Sequence, residues 1–321
     1  MSRANPPSFS AFSATAQRLL NEPWQPVNGA RQPSQLNTDM AAFLSYYQLP
    51  LPSEQLVFSS GCASNNATER LVWYRWQPTH PTRRALVVHG YMDHSGLYRH
   101  LIQHLLDNGC EVVCFDLPGH GLSSGERASI DSFDHYQEAL DTLLEKIAEW
   151  PALPLIGCGQ STGGAIFLQH LVQHADNATA WRAINLLAPL FEPAGWGLNR
   201  VWLKVLSPFV RALPRSFKRN SGDSTFSDFL ARQDPLQTRL IPLTWLRAMD
   251  RWIIAFRPQR CNAAVNIIQG DSDHTVAWRS NLRHFRSHFS AATITLIEGA
   301  EHQLVNETTE LRAKIFAQLA L

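Results

Sequence analysis

The chain has 321 residues, 45% of them hydrophobic and 17% charged, and a formal net charge of +1. This is apolar enough to fill the core of one large domain with an insertion, or of two small ones. It is too evenly charged to offer nucleic acid an electrostatic footprint. The five cysteines, Cys62, Cys110, Cys114, Cys158 and Cys261, are odd in number and form no C-x-x-C pair, which argues against a disulfide framework and a thiolate zinc site. No basic-then-apolar leader occupies the first fifteen residues, and no run of about 18 apolar residues occurs, so the protein is expected to be soluble and cytoplasmic.

Residues 1–55 are expected to form a partly ordered N-terminal extension. Within it, residues 1–36 are rich in Pro, Ser, Asn and Gln without a sustained period. Thr38 to Tyr47 reads as a short helix capped by Thr38 or Asn37 and stopped before Pro50 and Pro52. Leu56–Ser59 and Leu71–Gln77 read as a hairpin joined by the polar stretch Ser60–Thr68. The pattern then changes to strands expected to be buried on both faces: Ala85–Val88, Glu111–Phe115, Leu155–Ile156, Ala183–Leu187, Val265–Ile268 and Thr293–Ile297. Between and after them lie helical periods over Leu97–Asn108, Phe133–Trp150, Ala165–His174, Ser280–His288 and Glu310–Leu319. Such alternation predicts an α/β fold, a mostly parallel, doubly wound sheet assigned to residues 56–189 and 257–321. Between Pro189 and Arg257 no strand-like run is visible, but aromatics recur at helical spacing. Residues 190–256 are therefore expected to be a helical cap, or lid, inserted after the sixth strand.

The chemistry centres on Gly159-Gln160-Ser161-Thr162-Gly163, where an apolar strand stops at a serine and a helix begins. Glycines on either side let strand and helix approach closely enough to expose the hydroxyl, and the helix N-terminus favours negative charge beside it. Ser161 is the candidate nucleophile. A serine needs a base, and the base needs an orienting acid. After Val265–Ile268 come Gly270, Asp271, Asp273 and His274; after Thr293–Ile297 come Gly299 and His302. The order Ser161, Asp273, His302, with each at a strand end, is that of the α/β-hydrolases. Asp271 and His274 remain as alternatives. The position of Gly270, three residues before Asp273, favours Asp273, and Asp271 fits a turn-forming role. Oxyanion donors are expected from the Thr162 N–H and from the loop His89-Gly90-Tyr91-Met92, with Tyr91 preferred and Met92 in reserve. His89 fits a structural hydrogen bond that shapes this loop.

Together with His94-Ser95-Gly96, Tyr98, Asp116-Leu117-Pro118-Gly119-His120-Gly121-Leu122-Ser123, Gly125-Glu126-Arg127, Gly270-x-x-Asp273 and Gly299-x-x-His302, these residues resemble the α/β-hydrolase superfamily. The resemblance is to its monoacylglycerol lipase and lysophospholipase branch, of serine aminopeptidase type, over roughly residues 70 to 321. It implies a carboxylic-ester hydrolase with no cofactor and a helical cap, Ser161, Asp273 and His302 as triad, and Tyr91 and Thr162 as oxyanion donors. Departures from the family pattern are Asp93 for Glu, Leu97 for Arg, and Gln160 and Thr162 where His and Met are frequent.

The reaction expected is therefore cleavage of single-chain acyl esters through an acyl-enzyme, on a small, lipid-derived substrate, with transient contact to a membrane surface. The alternative is a proline-type aminopeptidase with the same triad, which would need an acidic cluster among Glu192, Asp223, Asp228, Asp234 and Asp250 to hold a substrate amine. A non-catalytic binding protein of hydrolase fold is the remaining reading. Gly157-x-Gly159 and Gly119-x-Gly121 lack the third glycine of a dinucleotide loop. No metal site is expected, and His100, His104, His170 and His174, at helical spacing, read as solvent-facing or satisfied.

Overall fold

In a computed structural model, residues 7–64, 70–174, 180–206, 208–256 and 263–321 are described. The tail of the Ser60–Thr68 connection, Cys261 and the return from cap to core at residue 257 lie outside them. The described chain folds around one sheet of nine strands. These are β1 (Val27–Ala30), β2 (Leu56–Ala63), β3 (Leu71–Pro78), β4 (Arg83–Val88), β5 (Cys110–Phe115), β6 (Leu155–Gln160), β7 (Trp181–Leu187), β10 (Val265–Gly270) and β11 (Thr293–Ile297). Their order is β1-β2-β3-β5-β4-β6-β7-β10-β11. From β5 to β11 every pairing is parallel, whereas β1, β2 and β3 are antiparallel to their neighbours.

The apolar runs are continuous because both faces of the sheet are covered. In β4, Leu86 and Val88 join one core with α4 (Asp134–Ala148) and α5 (Thr162–Gln173), while Ala85 and Val87 join the other with α3 (Arg99–Asp107) and α10 (Thr309–Phe316). Helix α9 (Trp278–His288) lies between β10 and β11 in the chain and buries Leu282 and Phe285 in the first core. The last strand, β11, departs from the expected double burial: as the sheet edge it keeps Leu296 48% exposed.

One further expectation is corrected, and another gains detail. Within the N-terminal extension expected to be partly ordered, α1 (Phe9–Asn21) is capped by Ser8 and buries Phe12 and Ala16, and β1 extends the sheet. Phe12 stacks on Tyr46 of α2 (Thr38–Tyr46), whose cap is the Asn37 side chain. Packing on α2 supplies the stability that the propensity of this Ser-, Ala- and Thr-rich helix does not. The segment expected to be free of strands holds, beside α6 (Trp196–Leu206), α7 (Ser224–Arg232) and α8 (Leu243–Ala255), a short antiparallel pair, β8 (Ala212–Pro214) with β9 (Leu240–Pro242). Three-residue strands with a proline in each carry no alternation to detect. With β1 counted, the segment follows the seventh strand of the sheet.

Candidate active site

Strand β6 ends at Gln160 and α5 starts at Thr162, leaving Ser161 alone at the turn with φ 52° and ψ −112°. A non-glycine residue in that region is strained and persists only where its surroundings hold it. Here the Ser161 N–H donates to the Leu187 carbonyl at 2.9 Å, and the Ser161 carbonyl accepts from Leu190 N–H at 3.0 Å. A Cβ on Gly163 would stand 2.1 Å from the Val88 carbonyl oxygen, and one on Gly159 2.6 Å from the Gly163 backbone, so both positions must be glycine for strand and helix to pack.

Three side chains from separate strand ends converge. His302 Nε2 is 2.9 Å from Ser161 Oγ, and His302 Nδ1 is 2.8 Å from Asp273 Oδ2. Asp273 also accepts from Gln269 Nε2 at 2.9 Å and from the N–H groups of Thr275 and Val276 at 2.7 and 3.1 Å. Burial opposes its charge, but His302 and these donors outweigh it and hold the carboxyl below its ordinary range. Burial likewise pushes the His302 imidazolium down, and the Asp273 carboxylate more than offsets this, leaving its pKa raised, with Asp93 adding in the same sense. Asp271 is not brought to His302: its Oδ1 accepts from Gly299 N–H at 2.8 Å and closes a turn. His274 is exposed.

The loop after β4 presses against the nucleophile, since a Cβ on Gly90 would lie 3.3 Å from Ser161 Cβ. Met92 sits at φ 62°. His89 Nδ1–H donates to the Gly90 carbonyl at 2.8 Å while Nε2 accepts from Leu117 N–H at 2.9 Å, which ties this loop to the one after β5. There Asp116, fully buried, accepts from Ser95 N–H, Leu122 N–H and Tyr74 O–H. Tyr91 stacks on Trp245 of α8, and Thr162 opens α5, whose first N–H groups have no partner within the helix.

Further residues support these groups, of which Gln303 and Asn220 were passed over in the sequence. Gln160 Nε2 donates to the His302 carbonyl at 2.9 Å, Gln303 Nε2 donates to Asp93, and Tyr98 O–H donates to Asp93 at 3.0 Å. From the cap segment, the Asn220 carbonyl accepts from both His302 N–H, at 3.1 Å, and Gln303 N–H, at 2.8 Å. The signal for Gln160 was a polar residue closing an otherwise apolar strand; for Asn220 there was none. His94 Nε2 and Asp234 Oδ2, both buried, pair at 3.0 Å between the core and the cap segment. Among the described residues, one group of three side chains could share a cation, Asp141, His170 and His174, and it lies outside this constellation.

A family model for serine aminopeptidase, S33, matches residues 79–309. The chain is similar to a monoglyceride lipase homolog of Monkeypox virus, 25% identical over 274 residues that cover 81% of this chain and 96% of that protein. It is also similar to the monoglyceride lipase of Mus musculus, 30% identical over 262 residues, 76% of this chain and 83% of that one. Among solved structures, a soluble variant of monoglyceride lipase from Saccharomyces cerevisiae in complex with a substrate analog superposes with a TM-score of 0.66, covering 79% of this chain and 91% of that chain, at 19% identity. At that identity the superposition speaks for the fold.

Proposed function

The chain belongs to the serine aminopeptidase S33 family and is a monoglyceride lipase-like α/β-hydrolase, an ester hydrolase, and from that premise we propose that Ser161, His302 and Asp273 cleave an ester of a single acyl chain. The observation that carries this is the unbroken line from Ser161 Oγ to His302 Nε2, 2.9 Å, and from His302 Nδ1 to Asp273 Oδ2, 2.8 Å. Ser161 Oγ attacks the ester carbonyl carbon while His302 Nε2 takes its proton. The N–H groups of Tyr91 and Thr162 hold the oxyanion, and Asp273 stabilises the imidazolium. Collapse of the tetrahedral species breaks the carbon–oxygen bond, and His302 passes its proton to the leaving alcohol. Water, deprotonated by His302, then attacks the acyl carbon; collapse breaks the bond to Ser161 Oγ, which takes the proton back from His302 as the acid leaves.

Two features support a lipid-derived substrate. Residues 190–256 act in this reading as a cap, bringing Trp245 onto Tyr91. On α6, Leu198, Val201, Trp202 and Val205 are each more than half exposed at positions that share one helical face, and Phe209 beyond the helix is exposed as well, next to exposed Lys204 and Arg211. Such a stripe suits contact with an anionic lipid surface. The aminopeptidase alternative finds little support. Asp223 caps α7, Asp228 pairs with Arg232, Asp234 with His94 and Asp250 with Arg200, so these four carboxylates do not converge on a substrate amine.

The test is Ser161→Ala, which should lower kcat on p-nitrophenyl and monoacylglycerol esters by about 10³–10⁶-fold with thermal stability preserved. A serine-directed phosphonate should label the wild type at Ser161 alone. Activity above a few per cent, or label on another serine, would overturn the assignment.

A further inference from the structure

We infer that the last turn of α5 and the facing side of α4 form a binding site for one divalent transition-metal ion, zinc foremost, held by His170 Nδ1, His174 Nε2 and Asp141 Oδ1. His170 and His174 stand one turn apart on α5 with ring centroids 4.6 Å apart. Asp141 of α4 brings Oδ1 to 3.5 Å from His170 Nδ1 and 4.0 Å from His174 Nε2, and the three ligand atoms all lie within 4.8 Å of one another. A tetrahedral zinc ion with bonds of about 2.0–2.1 Å separates its ligand atoms by about 3.3 Å, so side-chain adjustments of under an ångström or so close this set around an ion.

A second observation points to a ligand. Gln137, only 5% exposed, aims its amide nitrogen at the same centre, 2.9 Å from both Asp141 Oδ1 and His170 Nδ1. Its Oε1 is buried with no hydrogen-bond partner among the described residues, a costly state for an amide oxygen. In the tautomer in which His170 Nδ1 accepts from Gln137, that nitrogen's lone pair is turned into the cluster. An ion there would take that lone pair and release Gln137, whose amide could turn over to present Oε1 to the ion or to a water on it. The site lies at the C-terminal end of α5, where the helix dipole favours a cation.

The donor set selects the class of ion. Two imidazoles and one carboxylate suit zinc and its transition-metal neighbours, whereas magnesium and calcium require oxygen ligands. The other close pair one turn apart, His284 and His288 on α9, turns His288 Nδ1 to the His284 carbonyl and to Ser287 Oγ, so it serves as an internal control. Because Ser161 begins α5 and these ligands end it, about 15 Å of helix separates the ion from the hydrolytic chemistry. Its consequence is a clamp between α4 and α5: an ion that binds only the folded chain stabilises it.

The experiment titrates the chelator-stripped full chain with zinc chloride by calorimetry in a non-coordinating buffer, with cobalt(II) absorption as a spectroscopic probe. The expected result is one ion per chain at micromolar affinity or tighter and a thermal midpoint raised by several degrees at saturation. Both effects should weaken at least about tenfold in His174→Ala and in Asp141→Asn and persist in His288→Ala. His174 is 43% exposed at the helix end, so the metal-free stability of its variant should equal that of the wild type. Half-saturation only above about 1 mM, equal affinity in His174→Ala, or loss confined to His288→Ala would overturn the inference.

Discussion

The indole of Trp245 lies flat on the ring of Tyr91, with centroids 3.6 Å apart and planes 13° from parallel. Trp245 belongs to α8, and its Nε1–H donates to Tyr136 O–H at 3.0 Å; the Tyr91 hydroxyl donates to the Ala128 carbonyl at 2.8 Å. The loop proposed to hold the oxyanion is thus braced from the cap segment on one side and from the core on the other. Trp245→Ala should lower kcat at least about tenfold and cost about 3–5 kcal/mol of stability, because a large buried side chain is lost and the ring beneath it is freed. Trp245→Phe, which keeps a ring over Tyr91, should retain most of kcat. Ester turnover and urea unfolding of both variants decide it, and wild-type kcat in the alanine variant would show that the stack does not position Tyr91.

Asp273 and Asp271 lie two residues apart in one turn, but only Asp273 reaches His302. Asparagine at 273 would favour the wrong imidazole tautomer, so Asp273→Asn should lower kcat by about 10⁴-fold. Asp271→Asn keeps an acceptor for Gly299 N–H and should stay within a few-fold of wild type. Equal losses for the two would reassign the orienting acid.

The pH profile follows from the charge around His302. Burial pushes its imidazolium down, and Asp273 and, further off, Asp93 raise it to a net position above the ordinary 6.5. The attack needs neutral imidazole in the free enzyme, so kcat/KM should fall as pH drops through a value above 6.5, and the loss should be complete well below it. Removing the Asp93 charge withdraws one of the raising contributions, so Asp93→Asn should move this acid limb to lower pH. The check is kcat/KM on a dissolved ester from pH 5 to 9 for both proteins. A wild-type limb below 6.5, or an upward move in the variant, would contradict the electrostatic reading.

Much of the molecule was legible because burial on both faces of a parallel sheet forces continuous apolar runs, and β4 and β5 show it without ambiguity. Ser161 and Asp273 were legible because each follows such a run, and His302 because it follows Gly299 in the turn after the edge strand β11. What escaped was held by tertiary contact. Helix α1 stands on Phe12 against Tyr46 and Tyr47. Asn220 meets His302 through its backbone carbonyl, which no side-chain pattern encodes. His170 and His174 were visible at helical spacing, but Asp141, 29 residues before His170, becomes their neighbour only when α4 packs on α5.

The last prediction concerns what the cap segment selects. Trp245, Met249, Trp252 and Ile253 of α8 are buried in one core with Phe133, Phe191 and Tyr136, and the proposed acyl pocket takes this apolar segment as its wall. Each methylene added to the acyl group should then contribute up to about 0.8 kcal/mol to kcat/KM, roughly fourfold per carbon, until the cavity is filled, after which the gain should stop or reverse. Entry from a lipid surface is a separate step, assigned to the exposed stripe around Trp202. Trp202→Glu should therefore leave the chain-length profile on dissolved esters unchanged while lowering turnover of monoacylglycerol presented in anionic vesicles by about tenfold. The measurement is kcat/KM over dissolved esters of two to ten carbons, beside a prolyl amide with the same leaving group, followed by vesicle-borne substrate for both proteins. A flat profile with preference for the prolyl amide would defeat the acyl-pocket reading and promote the peptidase. An unchanged vesicle rate in Trp202→Glu would leave the pocket in place and remove the α6 stripe from substrate delivery.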